Sequence, residues 1–99
     1  MTPIHELALR VVDAMREAGY SPVTYGRVYC DGLLPLVKLH EQRGAENFDS
    51  AILAEYVRQV DERRADGSIN RKWREHLLNA AERMLRMHET GKLEWKCPQ

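Results

Sequence analysis

Two short stretches of this 99-residue chain bring together residue types that attract an anion. The first is Ser21-Pro22-Val23-Thr24-Tyr25-Gly26-Arg27. Serine followed by proline reads as a helix cap and first helical position. Unpaired backbone N–H groups at such a start, with the helix dipole behind them, favour a phosphate. Thr24, Tyr25 and Arg27 stand within the first turns. The second stretch is Ser68-Ile69-Asn70-Arg71-Lys72-Trp73-Arg74, also a helix start. Three cations at a helix N-terminus oppose the dipole and cost helix stability unless a partner uses them. Ser68, Asn70, Arg71, Lys72 and Arg74 are therefore the sharper candidates for gripping a polyanion. A helix N-terminus set against a nucleic-acid groove fits both stretches. Each is also legible as a plain serine cap with solvated cations, the first more readily than the second.

Other chemistry finds little support. His5, His40, His76 and His88 are far apart, and the two on one helix lie three turns from each other, so no shared metal ion is expected. Cys30 and Cys97 lie in no CxxC or Cys/His cluster and suit a reducing compartment. No serine sits in a GxSxG turn, and there is no glycine-rich phosphate loop. Asp61-Glu62 and Glu41 read as surface carboxylates. No catalytic residue, metal or cofactor is expected in this chain.

The elements that must position the two stretches follow from apolar periodicity. Ile4, Leu7, Ala8, Val11, Val12 and Met15 recur at helical spacing, with Thr2 as cap, Pro3 at the first position and Gly19 as stop. Ser21-Pro22 opens a second helix whose inner side carries Tyr25, Val28, Tyr29, Gly32, Leu33, Leu36, Val37 and His40, up to Gly44. Pro35 lacks an N–H and its ring opposes the Asp31 carbonyl, so a kink, or two short helices broken between Cys30 and Leu34, is expected. Asp49 or Ser50 caps a third helix, with Phe48 as a staple and Ile52, Leu53, Tyr56, Val57 and Val60 inward; Asp66-Gly67 ends it. Ser68 is read as the cap of a fourth helix, striped by Ile69, Trp73, Leu77, Ala81, Met84 and Leu85 and stopped by Gly91. On that stripe Trp73 belongs to the core, and Met15, Met84 and Met87 to the core or its edge. Leu93-Glu94-Trp95 suits a short extended tail. The fold class is all-α, a bundle of about four helices with that tail.

Composition is that of one globular domain: 43% hydrophobic and 30% charged residues leave a thin core that needs every amphipathic face. Lys+Arg and Asp+Glu are both 15, so the net charge is zero. Nucleic-acid modules are usually basic, so distribution must carry such a role. Acids crowd the middle at Glu41, Glu46, Asp49, Glu55, Asp61, Glu62 and Asp66. The last third carries a local charge of about +3. The N-terminus lacks the basic start and apolar run of a signal peptide, and no stretch approaches the ~20 apolar residues of a membrane span. A cytoplasmic protein is expected.

The order of these signals resembles the SAM-like, core-binding N-terminal domain of phage integrases and other tyrosine site-specific recombinases. The resemblance is carried by Gly19-Tyr20-Ser21-Pro22-Val23-Thr24-Tyr25, Leu33 through Gly44, Phe48-Asp49, Ser68-Ile69-Asn70 with Arg71, and Glu89-Thr90-Gly91-Lys92-Leu93-Glu94-Trp95. It implies a bundle of about four helices over residues 1–95 that forms one jaw of a clamp on double-stranded DNA. Residues 96–99 would begin a linker to a catalytic domain. The family's catalytic residues and tyrosine nucleophile belong to that other domain, so none of Tyr20, Tyr25, Tyr29 or Tyr56 takes the role. Other recombinase protomers are implied partners of the full-length protein. The alternative is a helical protein–protein interaction module that pairs through an apolar face.

Overall fold

A computed structural model describes residues 1–91; the expected tail at Leu93–Trp95, the linker at 96–99 and Cys97 lie outside the described residues. Helix α1 spans Pro3–Glu17. The Thr2 hydroxyl caps it by accepting from the His5 N–H, and Gly19 leaves it at φ 97°. Ile4, Leu7, Ala8, Val11 and Met15 make its buried stripe. The Ile4 N–H, which has no partner within the helix, donates to the Glu46 carbonyl at 2.8 Å and ties the helix start to a distant loop.

The second helix is one rod in three parts: α2 at Pro22–Arg27, a π-helical segment at Val28–Leu33, and α3 at Leu34–Gln42. Of the two outcomes expected at Pro35, the break into two short helices between Cys30 and Leu34 does not occur; the helix widens there into the π segment instead. Leu33 and Leu34 keep helical angles, at φ −70°, ψ −47° and φ −63°, ψ −45°. The Leu34 N–H bonds to the Tyr29 carbonyl, five residues back. The wider turn accommodates Pro35: a chain that shifts its hydrogen-bond register before the proline need not leave the helix. Gly32 faces inward there and is buried.

Helix α4 spans Ser50–Ala65, with Asp49 as cap accepting from the Ala51 N–H, and Ile52, Tyr56 and Val60 buried at successive turns. Phe48 does more than staple the start of α4. Its ring stacks on His88 of the last helix at 4.5 Å and tilts towards His40 at 5.9 Å. His40 is fully buried in α3. It donates from Nδ1 to the Leu36 carbonyl and accepts at Nε2 from the Asp49 N–H, joining α3 to the cap of α4.

Helix α5 spans Arg71–Thr90 and ends at Gly91, φ 73°. Its cap is Asn70, whose side chain accepts from the Trp73 N–H at 2.8 Å. The expectation that Ser68 caps this helix is therefore corrected: Ser68 turns back and donates its hydroxyl and its N–H to Asp66. Both residues have capping oxygens, and the two-residue difference in the helix start decides between them. Leu77, Ala80, Ala81, Met84 and Met87 are buried. Trp73 is corrected too: it is 40% exposed. It occupies the first turn of α5, at the end of the stripe, where Ile69 takes the buried place and the indole tilts against His76 at 5.2 Å.

The four helical rods bury one core, with α5 packed on α1, the π segment and α4. Among the described residues there is no strand, and no helix is long and apolar enough to cross a membrane.

Candidate nucleic-acid interface

The first candidate stretch sits at the start of α2. Ser21 accepts from the Thr24 N–H at 3.3 Å, and the two hydroxyls lie 3.0 Å apart. The sequence Ser-Pro at this point builds its own cap, which leaves Thr24 exposed on the first turn. Tyr25 turns the other way and packs half-buried against the core. Arg27 ends α2 on the exposed side.

Val23, Thr24, Arg27 and Val28 form one wall of an open groove, and His76, Asn79 and Arg83 of α5 form the other. No acidic residue is among those lining it. Arg83 lies with its guanidinium 5.9 Å over the Tyr20 ring. His76 is held from below: its Nε2 lies 3.1 Å from Oδ2 of Asp31 in the π segment. The π segment thus brings a carboxylate under the groove at the point where α5 crosses it.

The second stretch divides. Arg71 is the first residue of α5, its side chain 81% exposed and its Nε 3.8 Å from Glu75 one turn on. A pair that exposed holds little. Lys72 is exposed and stands one turn before His76 on α5. Arg74 points elsewhere: its Nε donates to Asp61 of α4 at 2.7 Å. Asn70 and Ser68 spend their oxygens on the cap and on the Asp66 turn. The hydroxyl and then the N–H of Ser68 hold the Asp66 carboxyl below the usual carboxylate range. Of the eight sequence candidates, Thr24 and Arg27 line the groove, Arg71 and Lys72 are exposed at the start of α5, and Tyr25, Ser68, Asn70 and Arg74 are engaged within the fold.

The sequence reading missed His76, Asn79 and Arg83 as groove residues. A signal existed: Lys72, His76, Asn79 and Arg83 recur at the i, i+4, i+7, i+11 spacing of one helix face. What that spacing lacks is any indication of which neighbour α2 would present to it.

Among the described residues no three of His, Cys, Asp or Glu are grouped to hold a metal ion. The histidines have separate neighbours: Tyr29 for His5, at 2.7 Å, the α4 cap for His40, Asp31 for His76 and Phe48 for His88. An open groove lined by two arginines, a histidine, an amide and a hydroxyl offers hydrogen-bond donors suited to phosphate oxygens. Compared with protein-family models, curated proteins and solved structures, the chain matches none of them.

Proposed function

We propose that this chain is a non-catalytic DNA-binding domain of the kind that forms the core-binding half of tyrosine site-specific recombinases. It grips the phosphates of a duplex along the groove between α2 and α5. The observation that carries the reading is the meeting of Arg27 and Thr24 with His76, Asn79 and Arg83 in one groove without an acidic lining residue. In a chain with net charge zero, this groove is lined by Arg27 and Arg83 and by no acidic side chain. The all-α bundle of four rods agrees with the resemblance. In this reading catalysis belongs to a separate domain, the partners are duplex DNA and further recombinase protomers, and the setting is the cytoplasm.

The alternative, an interaction module pairing through an apolar face, has less to use. The large exposed apolar side chains among the described residues are Met1, Val23 and Trp73, on three different segments.

Salt titration of duplex binding separates the two. Binding through phosphates weakens steeply with salt, whereas apolar pairing does not. Affinity should be roughly micromolar or weaker at physiological salt, as for non-specific contacts. NMR titration should move resonances of residues 21–28 and 71–83. Shifts confined to α4, or binding insensitive to salt, would overturn the assignment.

A further inference from the structure

We propose that His76 is a proton-linked phosphate contact in the α2–α5 groove and that Asp31 is the residue that positions it. The inference rests on the DNA-binding reading and adds to it a protonation step.

The two ring nitrogens of His76 are not equivalent. Nε2 lies 3.1 Å from Oδ2 of Asp31. An ionised carboxylate only accepts, so the proton of the neutral ring belongs on Nε2. Nδ1 is then a bare lone pair. It is the ring's remaining polar atom, and His76 lines the groove. A phosphate oxygen is also an acceptor, so a neutral His76 offers it repulsion and no hydrogen bond. A proton on Nδ1 reverses both effects: the atom becomes a donor and the ring gains a positive charge.

The surroundings set when that proton is held. From α2 the groove presents Arg27, and along α5 stand Lys72 one turn before His76 and Arg83 two turns after it. These cations oppose a charged ring. From the π segment Asp31 favours it, in contact and only 27% exposed. Arg27 and Arg83 on the one side and the Asp31 carboxylate on the other act on a charged ring in opposite senses. A bound phosphodiester neutralises the cations and adds its own attraction, so the balance moves towards the imidazolium. Binding should therefore take up a proton, and by linkage acid should tighten binding. The relevant interval is pH 5–8, in which imidazoles exchange protons. Asp31 does not meet the phosphate; it fixes the ring orientation and compensates its charge, as carboxylates do for histidines elsewhere.

The test is duplex affinity of the whole chain, by fluorescence anisotropy at constant ionic strength, from pH 5.5 to 8. Affinity should fall about three- to tenfold across this interval, with a slope of log affinity against pH no steeper than about one, the value for one proton. His76→Gln should flatten that dependence near the level the unaltered protein shows at pH 8. His76→Lys, which keeps a cation, should bind at pH 8 better than His76→Gln. Asp31→Asn should move the midpoint to lower pH. Because substitutions beneath the groove can disturb folding, the ring protons of His76 are also followed by NMR in the unaltered protein. Their titration midpoint should rise when duplex is added. Duplex binding with the same pH profile in the unaltered protein and His76→Gln, or an unmoved His76 midpoint, overturns this inference alone. No duplex binding at any pH removes the DNA-binding reading, and the inference with it.

Discussion

Adding one methyl group at Gly32 should force apart the π segment and α5. A Cβ built at Gly32 would lie 2.3 Å from Ala80 Cβ, with Ala80 Cα at 3.8 Å and the Leu77 carbonyl oxygen at 4.0 Å. Carbon atoms in contact need about 3.5–4.0 Å, so the two backbones must separate by roughly 1.2–1.7 Å. Neither methyl can swing away, because each is fixed to its backbone. Overpacking of this kind costs about 1–3 kcal/mol. Gly32 is helical, so alanine returns up to about 1 kcal/mol of helix propensity. The net loss should be about 1–2 kcal/mol, a fall in Tm of roughly 5–15 °C for a domain of this size. The bond from the Tyr56 hydroxyl to the Gly32 carbonyl, at 3.4 Å, should weaken as well. The assay is a thermal melt of Gly32→Ala, Ala80→Gly and the double variant. Ala80→Gly alone loses about 1 kcal/mol of propensity. The double variant removes the collision and only relocates the glycine, so it should melt above Gly32→Ala and close to Ala80→Gly or better. A Gly32→Ala melt at or above that of the unaltered protein would refute the reasoning.

Four further outcomes test other details of the structure. Asn70→Ala should cost about 1 kcal/mol by loss of the α5 cap, in denaturant unfolding, whereas Ser68→Ala should cost less; the reverse order would restore Ser68 as the cap. Arg74→Ala should cost up to about 1 kcal/mol through loss of the Asp61 bridge and leave the salt slope of DNA binding alone. Arg71→Ala should leave stability unchanged or slightly higher and lower that slope by about one unit; a lost melt with intact binding would sink its phosphate role. Burial pushes the Tyr56 phenol up to about 12. A folded value raised above the unfolded value of about 10 means that its contribution is whole below pH 10 and is lost as pH rises through about 12. Absorbance titration should show a last phenol with a midpoint of about 12, absent in Tyr56→Phe; phenolate formation complete by pH 11 would refute it.

Much of the fold was legible because its signals are local. Thr2, Ser21 and Asp49 cap within three residues of themselves, and Gly19, Gly44, Gly67 and Gly91 adopt the positive φ that side chains resist. The apolar stripes of α1 and α4 need only the 3.6-residue period. Those features determined four helical rods and most of the places where they start and stop, the cap of α5 at Asn70 excepted. Pro35 was legible as an obstacle, but its resolution was not, because a break and a register shift both relieve the same collision. The buried approach of Gly32 to Ala80 depends on both helices, which no local pattern specifies.

The candidate site divides along the same line. The sequence alone placed Thr24, Arg27, Arg71 and Lys72 near helix ends, where cations and hydroxyls stay in water. Whether Arg74 served a ligand or Asp61 was decided by where α4 lies, thirteen residues away along the chain. His76 and Asp31 are separated by 45 residues and meet only because α5 crosses the π segment. Capping and periodicity act over one or two turns, so residues that near one another determine them. A groove between helices depends on which faces pack, and the whole core chooses that at once.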